Sequence, residues 1–70
     1  MKADEISQLE AYMKRLFDNQ TITVRPRPRK DDSAEVYVGE EFIGLMHRDD
    51  EDDDDLSYNF TMAILEIDLN

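Results

Sequence analysis

Apolar residues open the chain at helical spacing. Ile6, Leu9, Met13 and Leu16 recur every three or four positions, and Tyr12 and Phe17 widen the stripe. Asp4 stands where an N-cap belongs, and Glu5 adds negative charge to the first turn. Lys14 and Arg15 fall in the last turns, where cations oppose the carbonyl end of the helix dipole. Asp18-Asn19 then supplies turn chemistry that stops the helix. The pattern predicts a helix from about Asp4 to Phe17.

The period then drops to two. Thr21 to Arg25 alternates polar and apolar residues as a half-buried strand does. The prolines of Arg25-Pro26-Arg27-Pro28-Arg29-Lys30 cannot both donate to a ladder, so this stretch belongs on a sheet edge or leaves the sheet. Asp31-Asp32-Ser33 reads as a turn and Ala34 to Val38 as a strand. Gly39-Glu40-Glu41 reads as a hairpin loop, with Phe42 to His47 returning as the next strand. Tyr58 to Leu69 alternates with apolar residues on both sides. Tyr58, Phe60, Met62 and Ile64 point one way, and Ala63, Leu65, Ile67 and Leu69 the other. Its β-branched and aromatic residues favour a strand over a helix, either central or covered on its second face. The expected fold class is α+β: one N-terminal helix packed on a three- to four-stranded antiparallel sheet, in the order α-β-β-β-β. Residues 1–70 read as a single domain, with no linker or repeat, and with a mobile acidic loop at 49–55.

Composition narrows the functional classes. Seventy residues suffice for one small core, and a core of this size supplies only ~3–5 kcal/mol of net stability. No cysteine is present to add a disulfide, a thiolate metal site or a thiol nucleophile, so oligomerisation is the remaining staple. Against 18 acidic residues stand 8 basic ones, for a net charge of −10, which repels phosphate backbones and anionic lipid. The first residues carry no basic and apolar signal pattern, and the longest apolar run, Met62 to Leu65, is far too short to span a membrane. The expected location is cytoplasmic.

Candidate chemistry is sparse. Asp49 to Asp55 offers seven carboxylates in a row but lacks the glycine and twelfth-position glutamate of an EF-hand loop; a solvated charge run is the plainer reading. His47 stands alone without a second group to work with. Two glycines, Gly39 and Gly44, build no phosphate loop, and Ser7, Ser33 and Ser57 sit in no nucleophile elbow. No catalytic, metal-binding or cofactor-binding residue emerges, and no cofactor is expected. The chain reads as a non-catalytic module. Arg25, Arg27, Arg29 and Lys30 form the one cationic cluster, a candidate anion-binding segment whose plainer role is pairing with the chain's own acids. It has no interleaved aromatics for stacking bases.

The strongest functional hint is the two-sided apolar segment. A chain this small covers one sheet face with its single helix and leaves the other available, so Tyr58, Phe60, Met62 and Ile64 form the candidate interaction surface. The expected function is protein interaction or regulation with a protein partner, a homodimer among the options. Nucleic-acid binding through residues 25–30 is the alternative, disfavoured by the net charge.

Two stretches carry a resemblance: Asp31-Asp32-Ser33-Ala34-Glu35-Val36-Tyr37-Val38-Gly39-Glu40-Glu41-Phe42-Ile43-Gly44, and Ser57-Tyr58-Asn59-Phe60-Thr61-Met62-Ala63-Ile64-Leu65-Glu66-Ile67-Asp68-Leu69. With the helix and the Arg-Pro-Arg-Pro stretch, nearly the whole chain resembles a family of short bacterial proteins, the domain of unknown function 3126 family. The resemblance implies a free-standing bacterial domain and brings no catalytic or ligand residues. The acidic run here is longer and more purely aspartate than the family's pattern.

Overall fold

The computed structural model describes residues 1–51 and 55–70. Helix α1 (Ala3–Phe17) is followed by strands β1 (Ile22–Arg27), β2 (Lys30–Val38), β3 (Glu41–Asp49) and β4 (Ser57–Thr61), then a short 3₁₀ turn over Glu66–Leu69. The strands form one antiparallel sheet in the order β1-β2-β3-β4, a simple meander. The α+β architecture expected from the two periodicities is therefore present.

The helix begins one turn-half earlier than its sequence suggests. Lys2 is the N-cap, and its backbone N–H donates to Glu5 Oε1 at 3.1 Å, so Asp4 lies in the first turn rather than capping it. At the other end Asp18 takes a left-handed conformation, with φ 51°, and the Asn19 N–H reaches back to the Lys14 carbonyl at 3.0 Å. Asn19 Oδ1 then accepts the Thr21 N–H at 2.9 Å, which turns the chain into β1.

Two strand boundaries differ from expectation. Lys30-Asp31-Asp32-Ser33 belongs to β2, and the turn is made by Pro28-Arg29 instead. Of these residues Lys30 pairs with Arg27 across the turn and Ser33 with His47 of β3, while the exposed Asp31 and Asp32 form an irregularity that the β1–β2 register skips, with the Asp31 carbonyl accepting from the Met1 ammonium. Asp49 likewise pairs with Ser57 inside the sheet, so the acidic run begins within β3; its Asp52, Asp53 and Asp54 lie outside the described residues. The larger correction is at the end of the chain. β4 stops at Thr61, and residues 62–65 continue without a pairing partner. One cause is visible in the register: β3 carries an extra residue, Ile43, between Phe42 and Gly44, so its backbone departs from a regular ladder where Met62 and Ala63 would next pair.

The core lies between α1 and one sheet face. Met13, Ile22, Val24, Ala34, Val36 and Met46 are buried, with Ile6, Leu9, Val38, Tyr58 and Phe60 packed against them. The alternation of β1 to β4 points these residues to a single side. On the opposite face Arg25 stacks on the Tyr37 ring at 3.9 Å, and Tyr37 meets Phe42 edge-on at 5.6 Å. That outer face is a polar and aromatic ladder, with its Tyr37 hydroxyl donating to Glu35 at 3.2 Å.

The two sheet edges are treated unequally. The Val24 N–H points away from β2 and donates to Glu10 Oε1 of α1 at 2.9 Å. By alternation position 26 also faces outward, and Pro26 has no N–H to leave unpaired. β1 is thus sealed by the helix and by a proline. β4, only five residues long, is the open edge.

Candidate functional site

Because α1 is anchored over β1, it leaves the β4 side of its own apolar stripe uncovered. Between them runs a groove of about 410 Å³. Leu9, Tyr12, Leu16 and Phe17 form its helical wall, and Met46 and Phe60 belong to its sheet floor. The helical wall is open to solvent: Tyr12 is 50% exposed, Leu16 57% and Phe17 56%. Side chains of this kind at helix positions normally lie against a core, so their exposure marks missing cover.

One end of the groove is held by a polar strut. Glu5 accepts the Tyr58 hydroxyl at 2.6 Å and Arg48 Nη1 at 3.2 Å on each carboxylate oxygen. This ties the helix N-terminus to β3 and β4 together. The Tyr58 hydrogen bond, with help from the Lys2 N–H and Arg48, holds the Glu5 carboxyl below the usual carboxylate range against the opposing cost of burial. The same bond to the carboxylate raises the Tyr58 phenol and, through its ion pair, the Arg48 guanidinium. Each group thereby favours the form that makes the bond, as a tie between elements requires. Arg48 Nε is buried without a well-formed hydrogen bond, and its compensation is the Asp50 carboxylate at 3.5 Å.

The expected interaction stripe is divided by this geometry. Tyr58 and Phe60 face the helix and pack against the core, which corrects their assignment to a free sheet face: residues of β4 register with Met46 and Arg48 on the side that α1 covers. Met62 and Ile64 lie past the end of β4 and are exposed. Sequence reasoning missed the groove's helical wall, since Leu16 and Phe17 belong to a stripe that the 3.6 period assigns to the core. The signal available was the width of that stripe, too broad for one five-residue edge strand to cover.

The cationic segment does not act as one cluster. Arg25 is spent on the Tyr37 ring, on Thr23 Oγ1 at 3.2 Å and on Glu40 at 3.7 Å. Arg27 donates to Ser33 Oγ at 3.0 Å and covers that buried hydroxyl. Arg29 and Lys30 are exposed at the hairpin tip. His47 lies on the outer face in register with Ser33 and Asn59, exposed. Among the described residues no three His, Asp or Glu side chains converge as a metal ion would need. No described helix is long and apolar enough to cross a membrane.

Neither the curated proteins nor the solved structures contain a match to this chain. A family model described as "Protein of unknown function (DUF3126)" matches residues 5–68, nearly everything from the first turn of α1 to the 3₁₀ turn, and the chain belongs to that family.

Proposed function

We propose that the protein is a non-catalytic interaction module that receives an apolar segment of a partner protein in the groove between α1 and β4. The observation that carries this reading is the exposed helical wall of Tyr12, Leu16 and Phe17 beside an open sheet edge. A groove of about 410 Å³ falls at the small end of binding cavities, the right scale for a few side chains. The position also suits recognition of an extended or amphipathic segment, which would lay apolar residues against α1 beside an unpaired strand. Nucleic-acid binding through residues 25–30 is the weaker reading, because Arg25 and Arg27 are engaged within the fold of a chain whose net charge is −10.

The test is site-specific photocrosslinking in the cells that make the protein. A crosslinking residue replacing Leu16 is expected to give a discrete protein adduct. The same residue replacing Gln8, exposed on the same helix, is expected to give none. Equal adducts at both positions, or no adduct at Leu16, would remove the groove from consideration.

A further inference from the structure

The chain carries a ligand of the right chemistry for its own groove. After Thr61 the backbone leaves the ladder, and the tail exposes Met62 at 45%, Ile64 at 62%, Leu65 at 59%, Ile67 at 73% and Leu69 at 74%. Leu65 and Asp68, three residues apart, sit together over the outer sheet face beside Leu45 and Thr61. Ile64 and Ile67 have the same spacing, displaced by one residue, and are the more exposed. The tail thus rests one side on its own sheet and holds out Ile64, Ile67 and Leu69 with no cover. The molecule measures 43 Å along its longest axis against 24 and 23 Å across, and its radius of gyration of 12.8 Å exceeds the roughly 11 Å of a compact chain this size.

We propose, building on the groove as a docking site, that its occupant is the tail of a second copy, exchanged reciprocally in a twofold dimer. Three observations carry this. The first is area. The groove wall (Tyr12, Leu16, Phe17) and the held-out side of the tail (Ile64, Ile67, Leu69) offer six large apolar side chains at least half exposed, each of on the order of 100 Å². That comes to roughly 600 Å² per partner, within the lower range of a standard stable interface. The second is closure. One surface is concave and the other projects, so a single contact would leave a groove and a tail unfilled and build open chains. Reciprocal exchange satisfies both surfaces at once. The third is charge. Arg15 lies over the Tyr12 ring at 5.5 Å on the rim of the groove and makes no ion pair among the described residues. The tail interleaves its apolar residues with Glu66 and Asp68, which brings acid to the cation on that wall that has no carboxylate partner among the described residues. Lys14, by contrast, is already paired with Glu10 at 3.4 Å.

Sedimentation equilibrium of the full chain, with two variants and their mixture, tests this. Leu16→Asp spoils the groove and Ile67→Asp spoils the tail; both positions are more than half exposed, so the fold is retained and circular dichroism verifies it. The wild-type chain is expected at twice its 8.2 kDa mass, and each variant alone at the single mass. Mixed, the two variants are expected to associate more than either does alone and less than the wild type, since the intact tail of one meets the intact groove of the other at one of the two exchange contacts. Arg15→Glu is expected to weaken the dimer about fivefold, with Glu66→Arg in the same chain restoring it. A wild-type chain that stays monomeric, a dimer that survives Ile67→Asp, or variants that fail to complement would overturn the exchange. A monomer whose Leu16 crosslinker captures a different protein would overturn the exchange and leave the groove as a docking site standing.

Discussion

Replacing Gly44 with alanine strikes the joint between the core and the groove. A Cβ at Gly44 would collide with the Thr61 carbonyl oxygen and lie 2.8 Å from Phe60 Cε1 and 3.0 Å from Met62 Cβ. The aromatic ring can turn aside, but the carbonyl belongs to the β4 backbone and moves only if the strand peels from β3. Overpacking in cores costs about 1–3 kcal/mol. Peeling instead gives up the partial burial of Tyr58 and Phe60, about 2 kcal/mol together, and the Tyr58 bond to Glu5, about 1 kcal/mol after solvent screening. The two routes agree on a cost near 2–3 kcal/mol, against a total of only ~3–5 kcal/mol for a core this small. Urea unfolding followed by circular dichroism measures the loss. Hydrogen exchange then tells the routes apart, since peeling releases the amides of 57–61 while those of β2 stay protected, and it lowers the urea m-value. Stability within about 0.5 kcal/mol of the wild type, with unchanged β4 protection, would refute the close approach on which this reasoning rests.

Gly39 provides the contrasting case: its φ is +60° and a Cβ there meets nothing within 4 Å, so the cost is conformational rather than steric. Gly39→Ala is expected to cost about 1 kcal/mol and Gly39→Asn less, both read from thermal midpoints. Val36 is fully buried at the centre of the sheet, and Val36→Ala is expected to cost about 2 kcal/mol in urea unfolding, leaving the variant barely folded. The Glu5–Tyr58 strut predicts a pH window for the stability difference between wild type and Tyr58→Phe. Glu5 is lowered from 4.5, so its share is present above that value and lost as pH falls through the lower folded value. Tyr58 is raised from 10.0, so its share is present below that value and lost as pH rises past it. Taking the difference between the two proteins cancels the self-repulsion common to both, and a difference that stays constant from acid to alkaline pH would contradict the strut.

The helix and the hairpins were legible because each is written in a local period: Ile6, Leu9 and Met13 at helical spacing, Ala34 to Val38 at two, Gly39 at a turn that requires a positive φ. The edge position of β1 followed from Pro26 alone. What escaped the sequence depended on distant partners. Lys30 to Asp32 read as a turn because charge and turn propensity overlap, whereas the strand is held at its two ends, by Lys30 pairing with Arg27 and Ser33 pairing with His47 of β3. Tyr58 to Leu69 alternates throughout, yet only its first residues have a ladder, because β3 is bulged at Ile43. The groove was least legible. It exists because Glu10 fixes the helix over Val24 at one edge, a contact between residues fourteen apart that no periodicity contains.

Tail exchange is measured most directly by a nitrogen–proton correlation spectrum of the wild-type chain recorded over a range of protein concentrations. Reciprocal tail exchange predicts concentration-dependent shifts at two places on the molecule: the helical wall around Tyr12, Leu16 and Phe17, and the tail from Met62 to Leu69. Shifts confined to the outer-face ladder of Arg25, Tyr37 and Phe42, or the relaxation rates of a monomer at every concentration, would contradict it.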